Sequence, residues 1–246
     1  METGKSDKER KLLLLVDAYS LLFRAYHSMA PLSSPDGTPT GALYGLVAML
    51  LKAIEDLHPS HILMAFDAHG PTFRHEEFPE YKAHRDEADP ELITQLPISR
   101  DLMDSMGIAW RELQGFEADD VIGTVAQKAE NAGWDVAVVT GDSDLGQLAT
   151  EKVKVIQMLK GVSSTRELNM KTMKERYGVE EPKNLVDYKG LVGDPSDNIP
   201  GVKGIGEKTA KLLLAKFPTI EEIYANLDKI EDKYKKKLEP AKESAI

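Results

Sequence analysis

Residues 12–17, LLLLVD, carry five apolar residues straight into a carboxylate. The same grammar returns twice: 61–68, HILMAFDA, reaches Asp67, and 135–144, DVAVVTGDSD, reaches Asp142 and Asp144. A short apolar run without polar alternation suits a strand covered on both faces, as in a mostly parallel sheet. Between the runs lie segments of helical periodicity, ALYGLVAMLLKAIEDL at 42–57 and ADDVIGTVAQKAEN at 118–131, the latter stopped by Gly133. Strand and helix in alternation predict an α/β sandwich, and right-handed crossovers bring the C-terminal ends of its strands to one edge. Open α/β sheets bind their ligands at that edge. Asp17, Asp67 and Asp142 are therefore expected to meet there.

The bulk numbers suit that core. With 246 residues and 41% apolar content the chain is long enough for one large domain and an appended module. Zero cysteines exclude disulfides and zinc–thiolate sites. The opening METGKSDKERK is charged and only five apolar residues follow it, too few for a signal peptide or a membrane span, so a soluble, cytoplasmic protein without a membrane partner is expected. A net charge of −10 speaks at first against a nucleic-acid partner.

The distribution of acids changes that reading. Asp17, Asp67, Glu117, Asp119, Asp120, Asp142, Asp144, Asp194 and Asp197 are the candidates for one acidic constellation. Singly, each has a plain explanation: a strand-ending turn or cap, or an acid facing the dipole at a helix start for Glu117, Asp119 and Asp120. Together they would repel and raise one another's pKa unless cations sat among them. A set of oxygen ligands without histidine or cysteine selects Mg²⁺ or Mn²⁺ over zinc, and so many carboxylates suit two ions serving a phosphodiester. Setting these nine aside leaves the rest of the chain at −1. The charge objection to DNA then loses its force.

Residues 192–210, VGDPSDNIPGVKGIGEKTA, set Asp194 and Asp197 against a glycine-rich basic turn that opens an amphipathic helix. Gly201, Gly204 and Gly206 permit a tight turn and close backbone approach, Lys203 and Lys208 add charge, and the helix start near Thr209 offers N–H groups to an anion. The pattern matches a helix–hairpin–helix that grips a DNA backbone without reading bases. Between about 69 and 96 the sequence is highly charged and lacks an apolar stripe, which predicts a mobile insertion above the site. There Arg74, Lys82 and Arg85 interleave with Phe73, Phe78 and Tyr81, a mixture suited to stacked bases and held phosphates. Arg24, soon after Asp17, is a further candidate contact. After about 180 short helices replace strands, and 229–246, KIEDKYKKKLEPAKESAI, reads as a polar helix without a core partner or as a linker.

Taken in order, LLLVDAYSLLFRAYH, AFDAHGPTFRHEEFPEYKAHR, GFEADDVIGTVA, VVTGDSDLGQL and GLVGDPSDNIPGVKGIGEKTA resemble the 5′-nuclease (flap endonuclease) family, and most closely the N-terminal 5′→3′ exonuclease domain of bacterial DNA polymerase I. The resemblance spans about 11–228. It implies a PIN-like core over 11–180 with a helical arch at about 70–96, and a helix–hairpin–helix-type (helix–three-turn–helix) module over 181–228 that takes K⁺. It implies one divalent ion near Asp17, Asp67, Glu117 and Asp119, and a second near Asp119, Asp142, Asp144 and Asp197. Asp120 and Asp194 would act through metal-bound water, and Lys82, Arg85 and Tyr81 would steer the scissile phosphate and stack on the displaced strand. The expected partner is 5′-flap, nicked or 5′-ended duplex DNA. Primer removal and repair in the bacterial cytosol, near the nucleoid, would be the setting, with a monomeric protein. Ser143 and the region of Pro71 depart from the basic residues frequent in the family, without touching a ligand. The chain reaches Ile246 without a polymerase-like region, so such a domain is expected either in the same protein or in a separate chain.

Three other readings fit less of the sequence. A PIN-type ribonuclease would share the acids but has no use for the duplex clamp. A haloacid-dehalogenase phosphatase needs Asp-x-Asp where Asp17 is followed by Ala18 and Tyr19. An inactive junction binder would lack ligands that this chain retains.

Overall fold

The computed structural model describes residues 11–159 and 164–242. They fall into two compact units, the first drawn from Met1–Gly70, Ala88–Leu145 and Glu151–Glu167, the second from Pro71–Glu87, Gly146–Thr150 and Leu168–Ile246.

The first unit is built on a sheet of six strands: β1 Leu12–Asp17, β2 His61–Ala65, β3 Ala109–Arg111, β4 Asp135–Thr140, β5 Val153–Met158 and β6 Thr165–Leu168. Their order is β3-β2-β1-β4-β5-β6, and every pairing from β3 to β5 is parallel. β1 lies in the middle, so Leu14, Leu15 and Val16 are buried and the run reads as unbroken apolar sequence. The register sets Asp17 opposite Ala65 and Val16 opposite Val139. Asp67 follows two residues after β2 ends, and Asp142 two residues after β4.

Helices α1 (Ala18–Ser28), α2 (Gly41–Leu57), α4 (Pro90–Ser105) and α5 (Ala118–Asn131) flank this sheet. The anticipated helices at 42–57 and 118–131 match α2 and α5. α1 and α2 pack closely because Gly45 has no side chain; a Cβ there would lie 2.5 Å from Cβ of Ala25. The N-terminus of α2 is capped from another helix: the buried amide of Gln95 accepts from the N–H groups of Ala42 and Leu43 at 2.9 and 3.2 Å. That contact, and the burial of Leu92, correct the reading of 69–96 as one charged insertion. The segment from Pro90 onward is core helix, started by the Asp89 carboxylate on the Glu91 N–H.

In the second unit, 71–87 forms one short helix, α3 (Phe73–Glu77), followed by turns. It buries Thr72 and Tyr81, an anchor that the charge-dominated sequence concealed. The remaining helices are α6 (Met170–Tyr177), α7 (Leu185–Val192), α8 (Glu207–Leu214), α9 (Ile220–Ala225) and α10 (Asp232–Leu238). The terminal segment does have a core partner: Leu238 and Ile230 are buried, and the Tyr224 hydroxyl donates to the Leu238 carbonyl at 3.0 Å. Among the described residues no helix is long and apolar enough to cross a membrane.

Two backbone strands of the 192–206 loop touch at Gly193 and Gly201. Gly201 has φ +62°, and a Cβ on it would lie 2.2 Å from the Gly193 nitrogen. Gly201→Ala should therefore cost about 2 kcal/mol or more. Gly206→Ala should stay within about 1 kcal/mol, because φ there is −102° and open space surrounds the added methyl. Urea unfolding monitored by circular dichroism separates the two; equal midpoints would refute this account of the loop.

Candidate active site

The first unit gathers its acids where the parallel strands end. Asp17 is both the last residue of β1 and the N-cap of α1, one carboxylate oxygen accepting from the Ser20 N–H at 3.1 Å. Its other oxygen accepts from the Thr140 hydroxyl at 2.8 Å, while that hydroxyl accepts from the Asp142 N–H at 2.9 Å. One buried threonine thus ties the ends of β1 and β4 together. Asp142 in turn accepts from the Asp144 N–H at 2.8 Å, and Gly141 donates to the Ser20 hydroxyl at 2.7 Å. On the other side of β1, Asp67 accepts from the Ala118 N–H at 2.9 Å and so helps start α5. Arg100 holds the Asp67 carbonyl at 3.2 Å and pairs with Glu112 at 2.7 Å. Glu117 is the N-cap of α5, and Asp120 accepts from its N–H at 2.9 Å in a capping box.

These bonds show that the plain explanations of the acids are true as well: most of them cap a local N–H. They do not remove the electrostatic cost. Burial, reinforced by Asp67 and Asp142, pushes Asp17 up to about 7. Burial, then Asp17, Asp142, Asp67 and Glu117, push Asp119 well above the usual carboxylate range. Asp17 and Asp119 therefore sense the charges of Asp67 and Asp142, and Asp119 that of Glu117 as well. Even so, among the described residues no three acidic or imidazole side chains converge tightly enough to enclose an ion. Asp17, Asp67, Asp120 and Asp142 each turn an oxygen to a local N–H. An all-oxygen set short of positive charge fits a hard divalent cation, toward which these side chains would have to turn.

Asp194 and Asp197 belong to the second unit. Asp194 is buried, pairs with Lys189 at 2.5 Å, and accepts from the Ser196 N–H and hydroxyl at 2.9 and 2.6 Å. Despite the burial, these donors hold its pKa below the usual value. It organises the loop, whose ends bridge through Asp194 N–H to Ile199 O at 2.8 Å and the reverse bond at 2.9 Å. Asp197 pairs with Arg85 at 2.6 Å and accepts from the Tyr81 hydroxyl at 3.2 Å. Lys82 donates its N–H to the Asp197 carbonyl at 3.0 Å, and its ammonium lies 4.7 Å from the Tyr81 ring centre. Arg74 lies over Phe73. Tyr81, expected to face a strand of DNA, is instead buried, with His75 edge-on at 5.3 Å.

Gly204, Gly206, Lys203 and Lys208 are exposed on the turn and first residues of α8, whereas Val202 and Ile205 are buried beneath them. Thr209 donates its N–H to the Gly206 carbonyl at 2.9 Å. Arg24 is half-buried: its guanidinium donates to the Leu159 carbonyl, and its buried Nε finds no partner among the described residues. Thr140, Ser20, Arg100 and Lys189 were missed. The one signal for Thr140 was a hydroxyl at the end of an otherwise apolar strand.

Between the unfolded value of 3.8 and about 7, native Asp17 keeps a proton that the unfolded chain has released. Stability of the metal-free protein should therefore fall as pH rises across that window and level off above it. Asp17→Asn should raise the metal-free Tm by several degrees at pH 8 and flatten the slope, and Mg²⁺ should stabilise the parent at pH 8 more than at pH 5.5. Thermal scans at the two pH values check this; a lower Tm for Asp17→Asn at pH 8 contradicts it.

The family model for the 5′-3′ exonuclease N-terminal resolvase-like domain matches residues 12–178, and that for the 5′-3′ exonuclease C-terminal SAM fold matches 180–246. The chain is 46% identical over 239 residues to DNA polymerase I of Bacillus subtilis (strain 168), covering 97% of this chain and 27% of that protein. It thus spans about a quarter of the length of the curated relatives it matches. Among solved structures, the bacteriophage T5 protein co-crystallised with metal ions superposes with a TM-score of 0.77 at 23% identity, over 96% of this chain and 86% of that one. The T5 flap endonuclease pseudo-enzyme–product complex with DNA and metal ions gives 0.76 at 23% identity, with the same coverage. At that identity the likeness is one of fold, and it agrees with the layered sheet and the helical C-terminal unit described above. With both of its domain models matched in order along one chain, this protein belongs to the 5′-3′ exonuclease family and is a nuclease.

Proposed function

We propose that this chain is a structure-specific 5′ nuclease that hydrolyses DNA phosphodiester bonds at 5′ flaps, nicks or ends, in primer removal and repair. The observation that carries the reading is the gathering of carboxylates at the strand ends, where Asp17 is buried and is pushed up to about 7 by that burial and by Asp67 and Asp142. Two divalent ions, Mg²⁺ or Mn²⁺, would when bound activate water and stabilise the leaving oxygen. Asp17, Asp67, Glu117, Asp119, Asp142 and Asp144 are the residues to hold them, with Asp120 and Asp194 as supports and Asp197 a further ligand. Thr140, locked to Asp17 and to the Asp142 backbone, keeps two of these acids oriented.

The second unit handles the nucleic acid. The exposed turn 203–208 offers backbone N–H groups and two lysines to a duplex backbone, with K⁺ as its proposed assistant. Lys82 and Arg85 steer the scissile phosphate. Arg85 must first leave Asp197, since one carboxylate cannot serve both a guanidinium and a cation at full strength. Stacking by Tyr81 likewise requires that ring to leave its buried position. A cytoplasmic monomer fits this reading, and the length of the polymerase relatives supports a polymerase domain elsewhere in the same protein.

A labelled 5′-flap duplex with Mg²⁺, beside a single-stranded RNA control, tests the proposal. The flap should be cut and the RNA spared. Asp142→Asn should lower single-turnover cleavage at least ~100-fold with DNA binding retained in Ca²⁺. Near-parental cleavage by Asp142→Asn would refute the metal assignment. Lys82→Ala should slow single-turnover cleavage more than it weakens duplex affinity; the opposite ranking would remove its steering role.

A further inference from the structure

The duplex clamp at 201–209 does not end with its own two lysines. α10 carries Lys233, Lys235, Lys236 and Lys237 within DKYKKKL. Lys237 reaches back to the clamp turn, its ammonium donating to the Gly204 carbonyl at 2.8 Å. Gly204 admits it: a Cβ at that residue would stand 3.2 Å from the Lys237 nitrogen and 3.3 Å from its Cε. An ammonium has three donors, so this contact leaves two for another acceptor. Lys236 and Lys237 are both exposed. Of the acids nearby, Glu231 pairs with Lys233 at 2.8 Å and Glu239 with Lys235 at 3.8 Å, while Asp232 sits in the first turn of α10, at the end opposite Lys236 and Lys237. The helix is not a floppy tail, because Leu238 is fully buried and its carbonyl is held by Tyr224. In a chain of net charge −10, an anchored cluster of cations hydrogen-bonded to an anion-suited turn is a local reversal of sign.

We infer that α10 is a second phosphate-contacting element of the clamp, with Lys236 and Lys237 extending the grip along the backbone of the same duplex. This rests on the nuclease reading above. The recognised chemistry is that of consecutive phosphodiesters on a rigid strand, met by flexible point charges without base contacts. An acidic protein partner is the competing occupant.

The test is fluorescence anisotropy of the whole chain in Ca²⁺ on a flap substrate with long duplex arms, across a salt series. Lys236→Glu/Lys237→Glu should bind about tenfold or more weakly, and the slope of log K against log salt should shrink by one to two, as expected for one or two lost phosphate contacts. Lys171→Glu, a single charge reversal on α6, should leave the slope as in the parent. Lys237→Arg should retain affinity, and circular dichroism melts confirm that each variant is folded. A double variant whose slope and affinity match those of Lys171→Glu overturns the inference, and so assigns α10 to other partners. A flat salt dependence in the parent instead overturns the duplex-binding part of the proposed function on which this inference rests.

Discussion

Carboxylates of the same sign, gathered at the ends of adjacent parallel strands with Asp17 buried, are the constraint around which the first unit is arranged. A charge taken out of water must be met by donors or by another charge. Here the protein meets it with helix N-terminal N–H groups and a threonine hydroxyl. Asp17 begins α1, Asp67 begins α5, and Thr140 binds both Asp17 and the Asp142 backbone. Each acid therefore holds a local junction of the fold while remaining next to its fellows. Burial first, and the neighbouring acids after it, still raise the pKa of Asp17 and Asp119. That residue of unfavourable charge is what a divalent ion would relieve.

The second unit places lysines of its glycine-rich turn at the surface. Glycine contacts fold the 192–206 loop tightly enough that Val202 and Ile205 point inward while Lys203 and Lys208 point out. The same unit also neutralises some of its own charge. Arg85 on Asp197 and Lys189 on Asp194 are close pairs, one half-exposed and one largely buried. The exposed pair is the weaker of the two, because solvent screens it. Asp194 is accordingly part of the scaffold of its loop, and Arg85 is the more easily displaced of the two cations.

The sheet, the two long helices at 42–57 and 118–131, and the strand-end acids were legible because each depends on neighbours in sequence: apolar runs, helical spacing, a carboxylate just past a strand. The glycine-rich basic turn and the start of α8 were legible for the same reason, since turn, charges and helix start occupy consecutive residues. What stayed hidden depended on remote partners. Gln95 caps a helix more than fifty positions away, and nothing around Gln95 announces it. Tyr81 is an anchor within a segment whose composition reads as solvent-exposed, and Leu238 gives the lysine-rich end a core contact through a single side chain.

From sequence alone, then, came the α/β class, the acidic edge and the anion-suited turn, since local pattern dictates secondary structure and strand direction dictates which ends share an edge. Tertiary structure decided which donor each acid meets. Thr140 reaches Asp17 across two strands, Arg85 reaches Asp197 from another segment, and Arg24 turns inward to a carbonyl. A side chain's partner is chosen by distance in space and by the cost of leaving a buried polar group unmet, and neither quantity is written in the order of residues along the chain.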